Sequence, residues 1–255
     1  MQREPTGINE FDNLIEGGLV ANSVTLVTGS PGTGKSIFSQ QFIHTGATDF
    51  KEKGMYISFE QRVPEIYEHA KQFGWDFEAL EKKGLVRFIF IDITNRQLSQ
   101  EETYIDVIKQ EIKEFKPKRL VIDSLTPLAN IPISPEELMS YGLISEMSSY
   151  SPNIPPELIT RFQVHRLIMT LKDMRTTSIL VSEIPKESQY LSSDRVSEFM
   201  SDSVMVMHYL GIGSTSNRSL TIEKMRGTKH TEEVLSMEIT NKGIKINKPE
   251  DSYSI

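Results

Sequence analysis

Cysteine is absent from all 255 residues. That excludes a disulfide framework and a thiolate metal site. Long apolar runs are missing too, since no stretch approaches the ~20 uninterrupted apolar residues that a membrane-spanning helix needs. The opening residues, Met1-Gln2-Arg3-Glu4-Pro5, contain no apolar signal core, so the cytoplasm is the expected compartment. Basic residues are in deficit, with 28 Lys and Arg against 35 Asp and Glu and a formal charge of −7. This weighs against a surface coated in nucleic acid, although a local basic channel remains compatible with it. The deficit is sharpest between Arg119 and Arg161, an interval without a single Lys or Arg. A chain of this length suits one α/β domain, and no second core is evident in the pattern.

Glycine, by contrast, is concentrated where it carries chemistry. Gly29-Ser30-Pro31-Gly32-Thr33-Gly34-Lys35-Ser36 fits the phosphate-loop pattern G-x-x-x-x-G-K-[ST]. A β-branched run, Ser23 to Thr28, precedes it and reads as a buried strand. Ile37, Phe38, Phe42 and Ile43 follow at helical spacing. In the strand–loop–helix setting, glycines let backbone N–H groups turn around an anionic phosphate, and the helix N-terminus adds partial positive charge. Ser30, Pro31, Gly32, Thr33, Gly34, Lys35, Ser36 and Ile37 are the expected phosphate contacts. Lys35 is expected at the β- and γ-phosphates and the Ser36 hydroxyl on Mg²⁺. A nucleoside triphosphate is the expected ligand.

Strand and helix patterns then alternate. Strands are expected at 54–59, 85–92, 119–123 and 178–182, with helices at about 63–73, 104–115 and 158–174. Alternation of this kind predicts a mostly parallel sheet covered on both faces. Asp123 ends its strand where a phosphate-loop fold needs an acid for the Mg²⁺ shell. Beyond residue 200 the pattern changes to strands joined by short turns, at 203–210, 219–224, 235–239 and 243–246. These predict an antiparallel C-terminal extension. A single domain over 1–247 is expected, with a frayed tail at 248–255. Residues 127–156 read as an insertion holding six of the twelve prolines and much apolar surface. It is either a local helix at about 136–148 between proline-rich connectors or a docking surface for a protein partner.

Four stretches together resemble the KaiC-type ATPases of the RecA/RadA superfamily. They are Pro5-Thr-Gly-Ile with Phe11-Asp12 and Gly17-Gly18-Leu19; Gly29–Ser36; Ser58-Phe59-Glu60 with Phe73-Gly74-Trp75; and Lys224-Met-Arg226-Gly-Thr-Lys-His230. The chain is similar to one such unit standing alone, as in single-domain archaeal relatives. The resemblance implies a RecA-like phosphate-loop fold, a homo-oligomeric ring, usually of six, and ATP with Mg²⁺ bound between neighbours. It implies that Glu60 orients and deprotonates the attacking water. Many relatives carry two consecutive acids there; here the second is Gln61, which argues for slow turnover. Lys224 and Arg226, alternating on a predicted strand, are implied to project into the neighbour's ATP site, with Thr228 and His230 at the same interface. Glu183, at the end of its strand, is read as a sensor or a cap outside the catalytic core. Clock members of the family are phosphorylated at positions filled here by Glu198 and Phe199. Neither is a hydroxyl acceptor, so autophosphorylation is not carried over.

Three functions compete. The first is a slow, ring-forming, Mg²⁺-dependent ATPase whose product is a conformational or regulatory switch. The second is an ATP-gated scaffold with little turnover. The third, disfavoured, is a DNA-binding recombinase relative, because the candidate loop at 184–197 balances two basic residues against two acids.

Overall fold

The computed structural model describes residues 1–92, 103–130, 139, 155–185, 188–212 and 215–247. Most of the 127–156 stretch, the helix expected within it and the tail at 248–255 lie outside the described residues.

The chain begins with a small clasp. Strand β1 (Arg3–Glu4) pairs antiparallel with β2 (Leu19–Val20), and α1 (Asn9–Leu14) lies between them in sequence. Asp12 holds the intervening turn: its carboxylate accepts from the Thr6 and Gly7 N–H groups and the Thr6 hydroxyl at 2.8–3.1 Å. The Phe11 ring meets Phe38 edge to face at 5.9 Å, fixing the clasp to the first long helix.

The main sheet is built from β3 (Val24–Gly29), β4 (Gly54–Ser58), β5 (Val86–Phe90), β6 (Arg119–Asp123), β7 (Thr177–Glu183), β8 (Ser203–Ile212), β9 (Thr215–Met225), β10 (Leu235–Thr240) and β11 (Gly243–Ile246). Its spatial order is β11-β10-β9-β8-β3-β7-β6-β4-β5. The pairs from β8 through β5 are parallel, and those from β8 out to β11 are antiparallel. The expected mostly parallel sheet with an antiparallel C-terminal extension is therefore what the chain forms.

Both faces are covered. On one side lie α2 (Lys35–Asp49), α3 (Val63–Lys71) and α4 (Phe77–Lys82), packed on Val27, Tyr56, Val121, Ile179 and Val181. On the other lie α5 (Tyr104–Phe115) and α6 (Pro156–Asp173), packed on Leu26, Met55, Ile57, Leu120, Ile122 and Leu180. Successive residues of one strand thus serve opposite cores, which is why these strands read as continuous apolar runs. A 3-10 turn (Thr126–Asn130) follows β6, and the four-residue α7 (Ser197–Met200) precedes β8.

Two differences from the sequence reading have simple causes. Helix α4 fills the interval between Trp75 and β5, where six residues are too few to show a period. Asp76 caps it, with Oδ1 accepting from the Ala79 N–H at 2.9 Å. Strands β8 and β9 run longer than their apolar cores, because β8 at the parallel edge pairs with β9 along its whole length. None of the described helices is long and apolar enough to cross a membrane.

Arg119, at the amino end of β6, is fully buried. Its guanidinium lies over the Phe42 ring, donates to the Phe42 carbonyl at 3.0 Å and the Pro5 carbonyl at 2.6 Å, and pairs with Glu52 at 2.8 Å and Glu4 at 3.7 Å. Helix α2 admits it through Gly46, where a Cβ would sit 2.4 Å from the Arg119 side chain. Burial would raise the Glu52 pKa, but hydrogen bonds from Lys118 and Arg119 outweigh it and the net direction is down. Removing the cation leaves Lys118 as the one remaining cationic partner of both carboxylates, one of them deeply buried. Arg119→Leu is expected to cost about 3–5 kcal/mol in urea unfolding at neutral pH; a loss below about 1 kcal/mol would show that the cluster behaves as a solvated surface pair.

Candidate functional site

The loop between β3 and α2 is shaped by its glycines. Gly29, Gly32 and Gly34 have φ values of 152°, 79° and 108°, a range that side chains with a Cβ rarely adopt. At Gly29 a Cβ would also lie 2.2 Å from the Met207 carbonyl of β8. The loop closes over the N-terminus of a fifteen-residue helix, whose unpaired N–H groups and dipole favour an anion. Lys35 folds back across it, donating from Nζ to the carbonyls of Gly29 at 2.9 Å and Ser30 at 3.0 Å. Burial lowers the Lys35 pKa, opposed by the nearby carboxylates of Glu183, Asp123 and Glu60.

Those three acids arrive from neighbouring strand ends. Asp123 accepts hydrogen bonds from the hydroxyls of Tyr56 and Ser36, and burial raises its pKa despite them. Glu60 lies two residues beyond β4, and its Oε1 accepts from the Ser124 hydroxyl at 2.5 Å. The turn carrying it is fixed by Ser58, whose hydroxyl accepts the N–H groups of Glu60 and Gln61 at 3.3 and 2.9 Å. Glu183 ends β7 directly opposite Gly29 in the register. Loop and acids enclose a cleft of about 360 Å³.

Among the described residues, the cleft walls include the expected Pro31, Gly32, Gly34, Lys35, Ser36 and Ile37 together with Glu60 and Asp123. Ser30 and Thr33 support the loop from within, the Thr33 hydroxyl donating to the Ser30 carbonyl at 2.9 Å. Gln61 is exposed and is not among those walls. Five residues outside the sequence expectation join them: Ser124, Val181, Glu183, Arg218 and Ile239. Glu183, read from sequence as a sensor or a cap, lies in the wall itself. Arg218 donates from Nε to the Gly32 carbonyl at 3.3 Å, its guanidinium 5.1 Å from the Tyr209 ring centre. No motif marks Arg218; only the return of β9 alongside β8 brings it over the loop.

Lys224, Arg226, Thr228 and His230 do not line this cleft. Lys224 Nζ donates to the carbonyls of Glu198 at 2.8 Å and Phe199 at 3.2 Å. Arg226, one residue past the end of β9, pairs with Asp202 at 3.6 Å. Thr228 accepts from Arg3 at 2.6 Å, and His230 Nδ1 lies 2.9 Å from the Thr231 carbonyl. Lys224 and Arg226 both turn toward the segment 198–202, as their alternation predicts.

The sequence model of the KaiC ATPases matches residues 4–138 and 143–251. The chain belongs to the KaiC ATPase family. The match runs through most of the 127–156 stretch and omits only 139–142. The circadian clock oscillator protein KaiC of Parathermosynechococcus lividus is 30% identical over 251 residues, covering 96% of this chain and 42% of that protein. Its counterpart in Synechococcus elongatus is 30% identical over 248 residues, covering 94% and 43%. This KaiC-type chain therefore spans less than half the length of those curated relatives. In three dimensions it is similar to a KaiC-like protein from the hyperthermophilic archaeon Pyrococcus horikoshii OT3. There the TM-score is 0.78 and the identity 30%, over 97% of this chain and 99% of that one.

Membership implies ATP as ligand, and the donors present suit the Mg²⁺ that accompanies it. A hydroxyl (Ser36) and a carboxylate (Asp123) stand within hydrogen-bonding reach of one another. Mg²⁺ at a phosphate site takes one or two protein oxygens and fills the rest with phosphate and water. No three His, Asp or Glu side chains among the described residues stand close enough together to hold a metal ion by themselves, and none is required.

The glycines give a graded test of the loop. Gly29→Ala meets both an unfavourable backbone angle and the Met207 carbonyl, so it is expected to destabilise the fold by more than about 1–3 kcal/mol. Gly32→Ala meets only the angle, with nothing within 4 Å of the added carbon, and is expected to cost about 1–2 kcal/mol. Urea unfolding of both variants checks the order; equal costs would contradict it.

Proposed function

We propose that this chain binds Mg²⁺·ATP in the cleft at the carboxyl edge of its sheet and hydrolyses it slowly. We further propose that it acts as one subunit of a homo-oligomeric ring, six being the favoured number, whose output is a conformational or regulatory switch. The observation that carries this reading is a division of labour. Lys35, Ser36, Asp123 and Glu60 surround one cleft, whereas Lys224 and Arg226 stand outside it in the same chain. A second copy supplies the missing cations most simply.

In this reading the loop N–H groups hold the phosphate oxygens. Lys35 exchanges its two carbonyl partners for β- and γ-phosphate oxygens. Ser36 and Asp123 would hold Mg²⁺, which would supply positive charge against the phosphates. Glu60, one oxygen fixed by Ser124, orients a water and accepts its proton as the water oxygen bonds to the γ-phosphorus and the bond to ADP breaks. Lys224 and Arg226 of the neighbour stabilise the transferring group, as arginine fingers do. Glu60 works without the second acid that many relatives carry, because Gln61 is neutral and faces solvent. Slow turnover follows from that.

Phosphate release measured across protein concentration, with size-exclusion chromatography at each point, tests the proposal. Specific activity is expected to rise as the ring assembles. Lys224→Ala or Arg226→Ala is expected to remove that rise, on the order of 10³-fold for a full finger contribution. Glu60→Gln is expected to keep ATP binding and lose roughly 10²-fold or more in turnover. An assembled ring that binds ATP at background turnover would instead support the nucleotide-gated scaffold.

A further inference from the structure

The cation Arg226 carries little structure of its own. It lies beyond the end of β9 and is exposed over 60% of its side chain, so nothing in its own strand defines where its guanidinium goes. Yet an arginine finger contributes only when its charge sits close to the transferring group, and a displacement of 1 Å can cost about 100-fold in rate. Something else must aim it.

Asp202 meets that need. Its carbonyl accepts the Arg226 N–H at 3.0 Å and its Oδ1 lies 3.6 Å from the guanidinium, so both backbone and side chain of the finger rest on one residue. The same Oδ1 accepts from Lys172 of α6 at 2.9 Å. The other side of Asp202 faces β3: Oδ2 accepts the Val24 N–H at 3.0 Å, and the Asp202 N–H donates to the Val24 carbonyl at 2.8 Å. Val24 opens the strand that ends in the phosphate loop.

The rest of the segment is held from the same strands. The Thr28 hydroxyl, one residue before Gly29, donates to the Leu191 carbonyl at 2.6 Å. Ser193 donates its N–H to the Ser182 hydroxyl at 3.3 Å, one residue before Glu183. Asp194 is consumed in starting α7, accepting the N–H groups of Val196 and Ser197 and the Ser197 hydroxyl at 2.6–2.9 Å. Lys224 then rests on the carbonyls of Glu198 and Phe199, the second and third residues of that four-residue helix. Residues 191–202 therefore form a frame pinned at its start to β3 and β7 and at its end to β3, with both cations resting on its last five residues.

We infer that Asp202 is a positioning residue for hydrolysis in the neighbouring copy, acting through Arg226 and not on the nucleotide bound by its own chain. This rests on the shared-site reading above. As an ion pair exposed on its Arg226 side and 3.6 Å apart, the contact is worth little in stability; its value lies in geometry.

The assignment makes Asp202 matter in one copy of a pair and not in the other, which mixed rings can read. Arg226→Ala copies retain a complete cleft but offer no finger; Glu60→Gln copies offer a finger but turn over little ATP. Mixing the two is expected to restore phosphate release. Adding Asp202→Asn to the Glu60→Gln copies is expected to lower the restored rate by between about 10- and 100-fold. Adding it instead to the Arg226→Ala copies is expected to leave the restored rate within about twofold, given that Asp202 does not serve its own cleft.

Equal losses in both arrangements, whether from misfolding, failed assembly or a general structural role, would overturn the inference. So would an undiminished rate in the first. If the original mixture restores nothing, the shared-site reading fails first and takes this inference with it. That result is distinct from the other two.

Discussion

The parallel register of β3, β7, β6 and β4 is the constraint on which the rest depends. Gly29 stands opposite Glu183, Ile122 opposite Leu180, and Ser58 opposite Asp123. Parallel strands joined by crossover helices all point the same way, so the turns leaving their carboxyl ends must emerge along one edge. A glycine loop, two strand-end acids and the Glu60 turn, scattered over more than 150 residues of chain, become the walls of one cleft for that reason alone. A slip of one residue in any pair would turn its side chains to the other core. Continuous apolar packing on both faces forbids it.

The opposite edge of the sheet carries the complementary device. Arg119 begins the strand that Asp123 ends, and its buried charge ties together the clasp, helix α2 and the segment after it through Glu4, Pro5, Phe42 and Glu52. Such a cluster is costly to desolvate, and its geometry leaves few alternatives. One role suits that cost: it fixes the N-terminal clasp on α2, the helix that the phosphate loop leads into. The Pro5-Thr6-Gly7 pattern with Asp12 has the same logic at closer range, a carboxylate gathering three donors from one turn.

The site as a single chain forms it is asymmetric. Its anion-binding and acidic parts are preorganised, with Lys35 resting on loop carbonyls and Asp123 held by two hydroxyls. Its remaining cations lie elsewhere, on a frame that shares strands with the cleft but does not face into it. Under the proposed shared-site reading, chemistry divided in this way would make assembly part of the reaction and place the aim of the finger under the control of residues outside the cleft of their own chain.

Much of this was readable in the letters. The strand–glycine loop–helix pattern, the apolar periods of α5 and the strand ending in Asp123 are local signals, fixed by spacing and by backbone freedom, and each appears where the sequence predicts it. Membership of the KaiC family was legible from four motifs that need no coordinates. Helix α4 was not, being too short for a period to emerge. Nor were Arg218 and Glu183 as walls of the cleft, or Asp202 as the support of Arg226. Their roles arise from pairings across long intervals of chain: Tyr209 beside Arg218, Gly29 beside Glu183, Asp202 beside Val24. Sequence by itself determined which groups could do the chemistry, because that depends on residue type and near-neighbour spacing. Only the tertiary structure decided which of them meet, because hydrogen bonding between strands, not proximity in sequence, sets those distances.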